Sequence, residues 1–292
     1  MRFGFDLGGT KLEGVVLAED GTVQVRRRIP SQAEVGYDAV IAAIDELLKE
    51  LCACVGRRPT SIGIGTPGSV DPSTGLMRGC NSTCLNGRPL LSDLESALGV
   101  EVLIENDANC LALAESRHGP RGLTFGVILG TGIGGGLAVD GRLWSGANRL
   151  AGEWGHNPLD PEGEPCYCGR RGCVETVISG PALAAWYARR TGVMRPFEEI
   201  ATLADADANA TRDHLIEEFG RAIAVVVNIL DPTTLVLGGG VGQTPGLAER
   251  AREAMAPHVF LPCGTTPRVV RPRLGDSAGV FGAAWLVKSG EP

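Results

Sequence analysis

The sequence predicts an α/β protein, and three observations support that expectation. Short apolar runs of strand length alternate with stretches of helical periodicity along the chain. A strand–glycine turn–strand unit occurs at residues 2–17 and again at 123–139. Between Gly152 and Glu175, His156, Cys166, Cys168 and Cys173 supply one imidazole and three thiolates, the donor set of a closed tetrahedral zinc site.

The 292 residues are 43% hydrophobic, enough for one large domain or two medium ones. A net charge of −7 gives no electrostatic footprint for nucleic acid or for an anionic membrane. No apolar run reaches the roughly 18 to 20 residues of a membrane span, and a strand follows Met1 at once, leaving no room for a signal peptide. A cytoplasmic protein is expected. Nine cysteines suit that compartment, because no even disulfide framework is visible and a dense Cys/His cluster there more often binds metal. Cys52, Cys54, Cys110 and Cys263 coordinate nothing obvious, and Cys52 and Cys54, two apart on an expected helix, read as packing residues.

The first strand, Arg2 to Asp6, runs into Asp6-Leu7-Gly8-Gly9-Thr10-Lys11. A second strand follows to Leu17, and the Asp20-Gly21 turn leads to a third over Thr22 to Ile29. Two glycines let backbone amides approach a phosphate, Thr10 adds a hydroxyl, and Asp6 could orient hydrated Mg²⁺. A plain hairpin would use the same glycines. Val40, Ile44, Leu47 and Leu51 predict an amphipathic helix from Tyr37 to about Cys54. Ser61 to Thr66 reads as a buried strand that Pro67-Gly68 turns outward, and Asn81 to Gly87 as either simple turns or a ligand loop. Val100 to Ile104 is a strand ending in Glu105-Asn106-Asp107-Ala108-Asn109, with a helix over Cys110 to Arg117. Asp107 is either a helix cap or a ligand group at the carboxyl end of a strand.

Leu123 to Leu129 is a strand that Gly130-Thr131-Gly132-Ile133-Gly134 turns into the next, ending at Val139. A strand and not a helix follows the glycines, so this is not the dinucleotide fingerprint. Two such hairpins facing one another would hold a polyphosphate from both sides. Helices are expected over Pro181 to Arg190 and from about Ile216 to Leu230, stopping before Asp231-Pro232, then a strand over Thr234 to Leu237. Gly238, Gly239 and Gly240 let a flat ring lie on the backbone, or simply make a tight turn. A helix from about Leu247, a strand over Arg268 to Val270 and a helix over Gly279 to Val287 complete the chain.

DLGGTK at 6–11, ENDAN at 105–109, GTGIGGG at 130–136, GEWGHNPL at 152–159, CYCGRRGCVE at 166–175 and LVLGGGV at 235–241 together resemble the ROK family of sugar kinases, over essentially the whole chain. NSTCLNG at 81–87, with GEWGHNPL and PCYCG, looks most like the fructokinase (mannokinase) branch, although Cys84 stands where that branch tends to carry an aromatic. The resemblance implies an actin-like ATPase (ribonuclease H-like) fold of two α/β lobes with an interlobe cleft. One lobe would be residues 1–118 completed by a helix in 276–292, the other 119–275 with the zinc loop 152–175. ATP with Mg²⁺ would meet Asp6, Gly8, Gly9, Thr10 and Lys11, and Gly130, Thr131, Gly132 and Gly134, with adenosine against Gly238, Gly239 and Gly240. The sugar would be touched by Gly68, Asn81, Asn106, Asp107, Glu153, His156 and Glu175. Asp107 would be the catalytic base on the 6-hydroxyl, and a structural zinc would sit on His156, Cys166, Cys168 and Cys173. A homodimer is also implied. D-Fructose is the expected substrate, with mannose secondary. The alternatives are another hexose (glucose, mannose or N-acetylglucosamine) and a sugar-sensing repressor, which the hairpin at residue 6 and the acidic chain disfavour.

Overall fold

The computed structural model describes residues 1–260 and 267–287; Cys263 and the part of the expected final segment beyond 287 lie outside the described residues. Two compact units result. One comprises residues 1–114, 145–150 and the described residues from 277 on, and the other comprises 115–144 and 151–276. The sequence reading gives 145–150 to the second lobe. They group with the first because Ser145 donates to Glu105, Arg149 donates to the Ile104 carbonyl, and Arg78 donates to the Asn148 carbonyl.

In the first unit, β1 (Arg2–Leu7), β2 (Lys11–Leu17) and β3 (Val23–Pro30) form an antiparallel meander. Helix α1 (Tyr37–Val55) then crosses to β4 (Ser61–Thr66), which lies parallel to β1. Val40, Ile44, Leu47 and Leu51 of α1 are fully buried, as their spacing predicts. A small hairpin, β5 (Ser69–Val70) with β6 (Met77–Arg78), precedes α2 (Leu90–Leu98), and β7 (Glu101–Asn106) pairs in parallel with β4. Sheet order is β3-β2-β1-β4-β7. Helix α3 (Asp107–His118) starts three residues before the expected Cys110. Asn106 ends β7, and its Oδ1 accepts from the Ala108 amide at 2.9 Å, so strand passes to helix without a linker.

The last helix, Ala278–Leu286, packs on β1 and β4 backbone to backbone, through glycines. A Cβ at Gly63 would overlap the Ala283 carbonyl, and one at Gly282 would overlap the Cys110 carbonyl. Neither obstacle is a side chain that can swing aside. Gly63→Ala is therefore expected to cost about 3 kcal/mol or more, read as a shifted urea midpoint with an unchanged slope.

The second unit repeats the arrangement. β8 (Leu123–Leu129) and β9 (Ile133–Val139) form the antiparallel hairpin, and β10 (Arg142–Leu143) extends its edge. After the Cys/His loop come α4 (Val174–Ile178), α5 (Gly180–Thr191), α6 (Phe197–Ile200) and the long α7 (Ala206–Leu230). β11 (Thr234–Gly238) is parallel to β8, α8 (Leu247–Met255) follows, and β12 (Arg268–Val270) is parallel to β11. Sheet order is β10-β9-β8-β11-β12. Helix α7 begins ten residues before the expected start, with the Asp205 side chain accepting from the Ala208 amide at 2.8 Å. Its buried stripe continues upstream through Leu215, Thr211 and Ala208, and the small Thr211 and Ala208 weaken the periodic signal. Among the described residues, no helix is long and apolar enough to cross a membrane.

Candidate active site

Parallel pairing of β1, β4 and β7 puts their carboxyl ends in register: Asp6 opposite Gly65, Gly65 opposite Glu105, Thr66 opposite Asn106. Open α/β sheets place ligands at such an edge. Asp6, Gly68, Asn106 and Asp107 are thereby brought to one place. Gly68 holds φ at 107°, and a Cβ on it would crowd the Cys80 Sγ at 2.7 Å, so only glycine makes this turn. Its carbonyl accepts from the Asn106 side-chain amide at 3.5 Å. With Asn106 acting as the cap, Asp107 sits half-buried in the first turn of α3, its Oδ1 2.7 Å from the Ala108 amide.

Glu105 is a member of this site that sequence reasoning left unassigned. It is buried, with Oε1 accepting from the Asn106 amide and the Asn109 side chain, both at 3.1 Å, and Oε2 from the Ser145 hydroxyl at 2.7 Å. Three donors on one buried carboxylate fix the turn that carries Asp107. Glu105 lies within a quoted motif, but its partner Ser145 is 40 residues away.

Burial, with the charges of Asp107 and Glu13 nearby, pushes the Asp6 carboxyl up to about 7 against the pull of Arg28. Gly65 and Gly279 leave it room, since a Cβ on either would lie 3.5 or 3.0 Å from its oxygens. Between pH 3.8 and about 7, folded Asp6 keeps a proton that the unfolded chain has released, so its contribution to stability falls as pH rises through that window. Asp6→Asn is expected to melt above wild type at pH 8, with the two curves converging near pH 4. Thermal melts across that range check this. A crowded acid of this kind also fits a site that receives Mg²⁺.

The glycine turn beside Asp6 is closed by the Gly8 amide donating to the Lys11 carbonyl at 2.9 Å. Ser31 braces it, donating its hydroxyl to the Gly9 carbonyl and its amide to the Thr10 carbonyl. Thr10 and Lys11 are exposed, and so is Asn81. Asn86 and Cys84 are not available to a ligand in the way the loop 81–87 suggests. The Asn86 amide bonds both polar groups of the Cys80 backbone, at 2.8 and 2.9 Å, while the Cys84 Sγ lies 3.3 Å from the Ala33 carbonyl and packs on the first core.

In the second unit, Trp154 is wedged edge-on between Phe125 and Phe219, with ring centroids 6.3 Å apart in each pair, and its Nε1 donates to the Gly134 carbonyl at 2.9 Å. The glycines of β9 allow this closeness: a Cβ on Gly135 would lie 2.6 Å from the Trp154 ring. Trp154 anchors Glu153 and His156 on either side of it. The turn Gly130-Thr131-Gly132 is closed by the Gly130 amide on the Gly132 carbonyl at 3.0 Å and braced from α5, whose Gly180 amide donates to the Gly130 carbonyl at 2.8 Å. Glu175, on α4, accepts from the Ile133 amide at 2.9 Å. One of its oxygens thus braces the glycine turn, a role the sequence reading, which gave it to the sugar, did not foresee. Thr131, Tyr167, Glu175, Ser179, Ala182 and Arg189 line a cleft of about 360 Å³. Gly238 ends β11. Gly239 holds φ at 80° against the Leu129 backbone, and Gly240 has nothing within 4 Å of where a Cβ would be. Gly239 is therefore a turn glycine, and Gly240 offers the open face.

The four expected metal ligands converge. Their donor atoms all lie within 4.8 Å of one another, with the Cys166 Sγ 3.5 Å from the His156 Nδ1 and the Cys168 Sγ 3.6 Å from the Cys173 Sγ. A tetrahedral ion with Zn–S near 2.3 Å would place its sulfurs about 3.8 Å apart, so donor set and spacing fit zinc. Gly172 (φ 60°) makes the loop possible, because a Cβ there would overlap the Asp160 carbonyl. His156 thus turns Nδ1 to the thiols, and its Nε2 lies 3.1 Å from the Tyr167 hydroxyl. Burial, with Glu175, Cys166 and Glu153 nearby, pushes the Tyr167 phenol up to about 12.

With this geometry in hand, likeness to known proteins is informative. The ROK family model matches residues 2–290. The N-acetyl-D-glucosamine kinase of Escherichia coli O157:H7 is 34% identical over 303 residues, covering 98% of this chain and 99% of that one. The ROK hexokinase of Thermus thermophilus superposes with a TM-score of 0.83 at 32% identity, covering 97% of this chain and 96% of that one. A ROK family glucokinase from Streptomyces griseus, solved with glucose and AMPPNP, gives a TM-score of 0.81 at 26% identity and 98% coverage of both chains.

The fold and these relatives define a sugar kinase of the actin-like ATPase class. The chain belongs to the ROK family. The expectation of a fructokinase is overturned. The full-length relative at 34% identity is an N-acetylglucosamine kinase, and the loop that suggested fructose spends Asn86 and Cys84 on its own packing.

Proposed function

We propose that the protein transfers the γ-phosphoryl group of ATP to the 6-hydroxyl of N-acetyl-D-glucosamine. The observation that carries this choice among hexoses is the end-to-end likeness to an N-acetylglucosamine kinase. Asp107 accepts a hydrogen bond from the attacking hydroxyl and takes its proton late, so an ordinary carboxylate suffices. Glu105 and the Asn106 cap hold Asp107 in place, and positioning supplies much of the rate. Gly68, Asn81, Asn106, Glu153, His156 and Glu175 are proposed sugar contacts. Backbone amides of the Gly8–Lys11 and Gly130–Gly134 turns, with Thr10 and Thr131, hold the phosphates, and Gly240 offers the adenosine face. Asp6 would hold Mg²⁺ through water, and the ion would neutralise charge on the β- and γ-phosphates.

We also assign His156, Cys166, Cys168 and Cys173 to a structural zinc, which would fix the imidazole ring by its Nδ1. To bind a sugar hydroxyl, the His156 Nε2 must exchange its present partner, the Tyr167 hydroxyl. Product analysis tests the reaction. ³¹P and ¹³C NMR of N-acetylglucosamine incubated with enzyme and ATP·Mg²⁺ should place phosphate on O6; phosphate on O1, or none on the sugar, contradicts the assignment.

A further inference from the structure

One hydroxyl beside the phosphate turn is unexplained by the packing around it. Ser82 is nine-tenths buried, and its Oγ has no hydrogen-bond partner. A buried, unpaired hydroxyl is costly, and a fold retains few of them. Ser82 occupies the N-cap position of the short turn Thr83–Leu85, where a serine side chain ordinarily accepts from the turn's own amides. Here it makes no such bond, although its carbonyl accepts from Leu85. The Oγ lies beside the glycine turn that follows Asp6, 3.9 Å from where a Cβ of Gly9 would be. Ser31 and Gly8 already donate to the carbonyls of that turn at Gly9, Thr10 and Lys11. Those carbonyls thus have donors already, and the Ser82 Oγ bonds none of them. Neighbouring Asn81 is exposed and Asn86 is bonded to Cys80, so within the loop the unpaired buried donor is Ser82.

We infer that the Ser82 hydroxyl is a substrate contact, donating a hydrogen bond to a phosphoryl oxygen of the bound nucleotide where that group meets the Gly8-Gly9 turn. This rests on the kinase reading above and adds to it a donor outside the glycine hairpins. A glycine at position 9 keeps the path between hydroxyl and phosphate clear. Glycine turns offer amide donors of fixed direction, whereas a hydroxyl can rotate to follow a phosphoryl group as its charge shifts to the leaving oxygen.

Ser82→Ala separates a contact from a packing role, because deleting an unpaired hydroxyl should not weaken the fold. The expected result is a melting temperature equal to or above that of wild type without ligand, kcat/KM for ATP·Mg²⁺ reduced roughly 10- to 100-fold, and Kd for N-acetylglucosamine unchanged within twofold. Ser82→Thr, which keeps the hydroxyl, should recover part of the loss. Calorimetric titration with AMPPNP·Mg²⁺ gives a readout that does not depend on turnover, and weaker binding by Ser82→Ala is expected there too. If wild type phosphorylates no hexose, the kinase reading fails, but the titration still decides the contact. Unchanged nucleotide binding together with unchanged kcat/KM, or a loss confined to the sugar Kd, would overturn the inference.

Discussion

Asp107→Asn should lower kcat by roughly two to four orders of magnitude while leaving the Kd of sugar and nucleotide within a few-fold. The amide is isosteric and can still accept from Ala108, so the first turn of α3 and its Asn106 cap survive. What is lost is the group that receives the proton. Glu105 cannot substitute for it, because its two oxygens already accept from Asn106, Asn109 and Ser145. Single-turnover kinetics with N-acetylglucosamine and ATP would show the loss in the chemical step itself. A variant keeping more than a tenth of wild-type turnover would remove Asp107 from the role of base.

The second large effect belongs to the Cys/His loop and its proposed zinc. Wild-type protein purified without chelator should carry about one zinc per chain. Cys168→Ala should release it. Cys168 is the exposed member of the set, so its loss opens no cavity, and any effect on the loop comes through the missing ligand. Without the ion, nothing fixes His156 by its Nδ1, and the turn at Gly169 and Gly172 keeps only its hydrogen bonds to the Trp154 segment, among them Arg170 donating to the His156 carbonyl and Leu159 donating to the Gly172 carbonyl. Sugar affinity is expected to fall tenfold or more, while β8, β9 and β11, anchored in the second core, keep their hydrogen-exchange protection. Metal analysis, sugar titration and exchange on one preparation test the three parts together. Full zinc occupancy in Cys168→Ala would show that the ligand set is wrong.

Much of this fold is legible in the sequence, for physical reasons that differ from part to part. Ser61–Thr66 and Leu123–Leu129 are read to the residue because each is an apolar run closed by Pro or Gly. The convergence of His156, Cys166, Cys168 and Cys173 is legible because three thiols and an imidazole so closely spaced are the donor set of a tetrahedral metal site. Helix α2 is missed although Leu90, Leu94 and Leu98 are its buried face, since three leucines at a spacing of four sit among polar loop residues. Long-range bonds are not legible at all. Nothing near Glu105 announces Ser145, and nothing near Glu175 announces the Ile133 amide.

The fructose expectation failed for a related reason. A polar loop suggests ligands when its side chains are imagined free, and here Asn86 is committed to Cys80 while Cys84 faces the core. The buried donor in that loop with no internal partner, Ser82, draws no attention in the sequence because serine is ordinary in turns.

A coupled kinase assay across N-acetylglucosamine, N-acetylmannosamine, glucose, mannose and fructose tests the central claim most directly. The highest kcat/KM is expected for N-acetylglucosamine, with fructose lowest or undetectable. A site that hydrogen-bonds its sugar leaves buried groups unpaired when the hydroxyls fall elsewhere, and such losses amount to about 1 to 3 kcal/mol each. The margin over fructose should therefore exceed tenfold. A higher kcat/KM for any of the other four sugars would contradict the substrate assignment, and no turnover with any of the five would contradict the kinase itself.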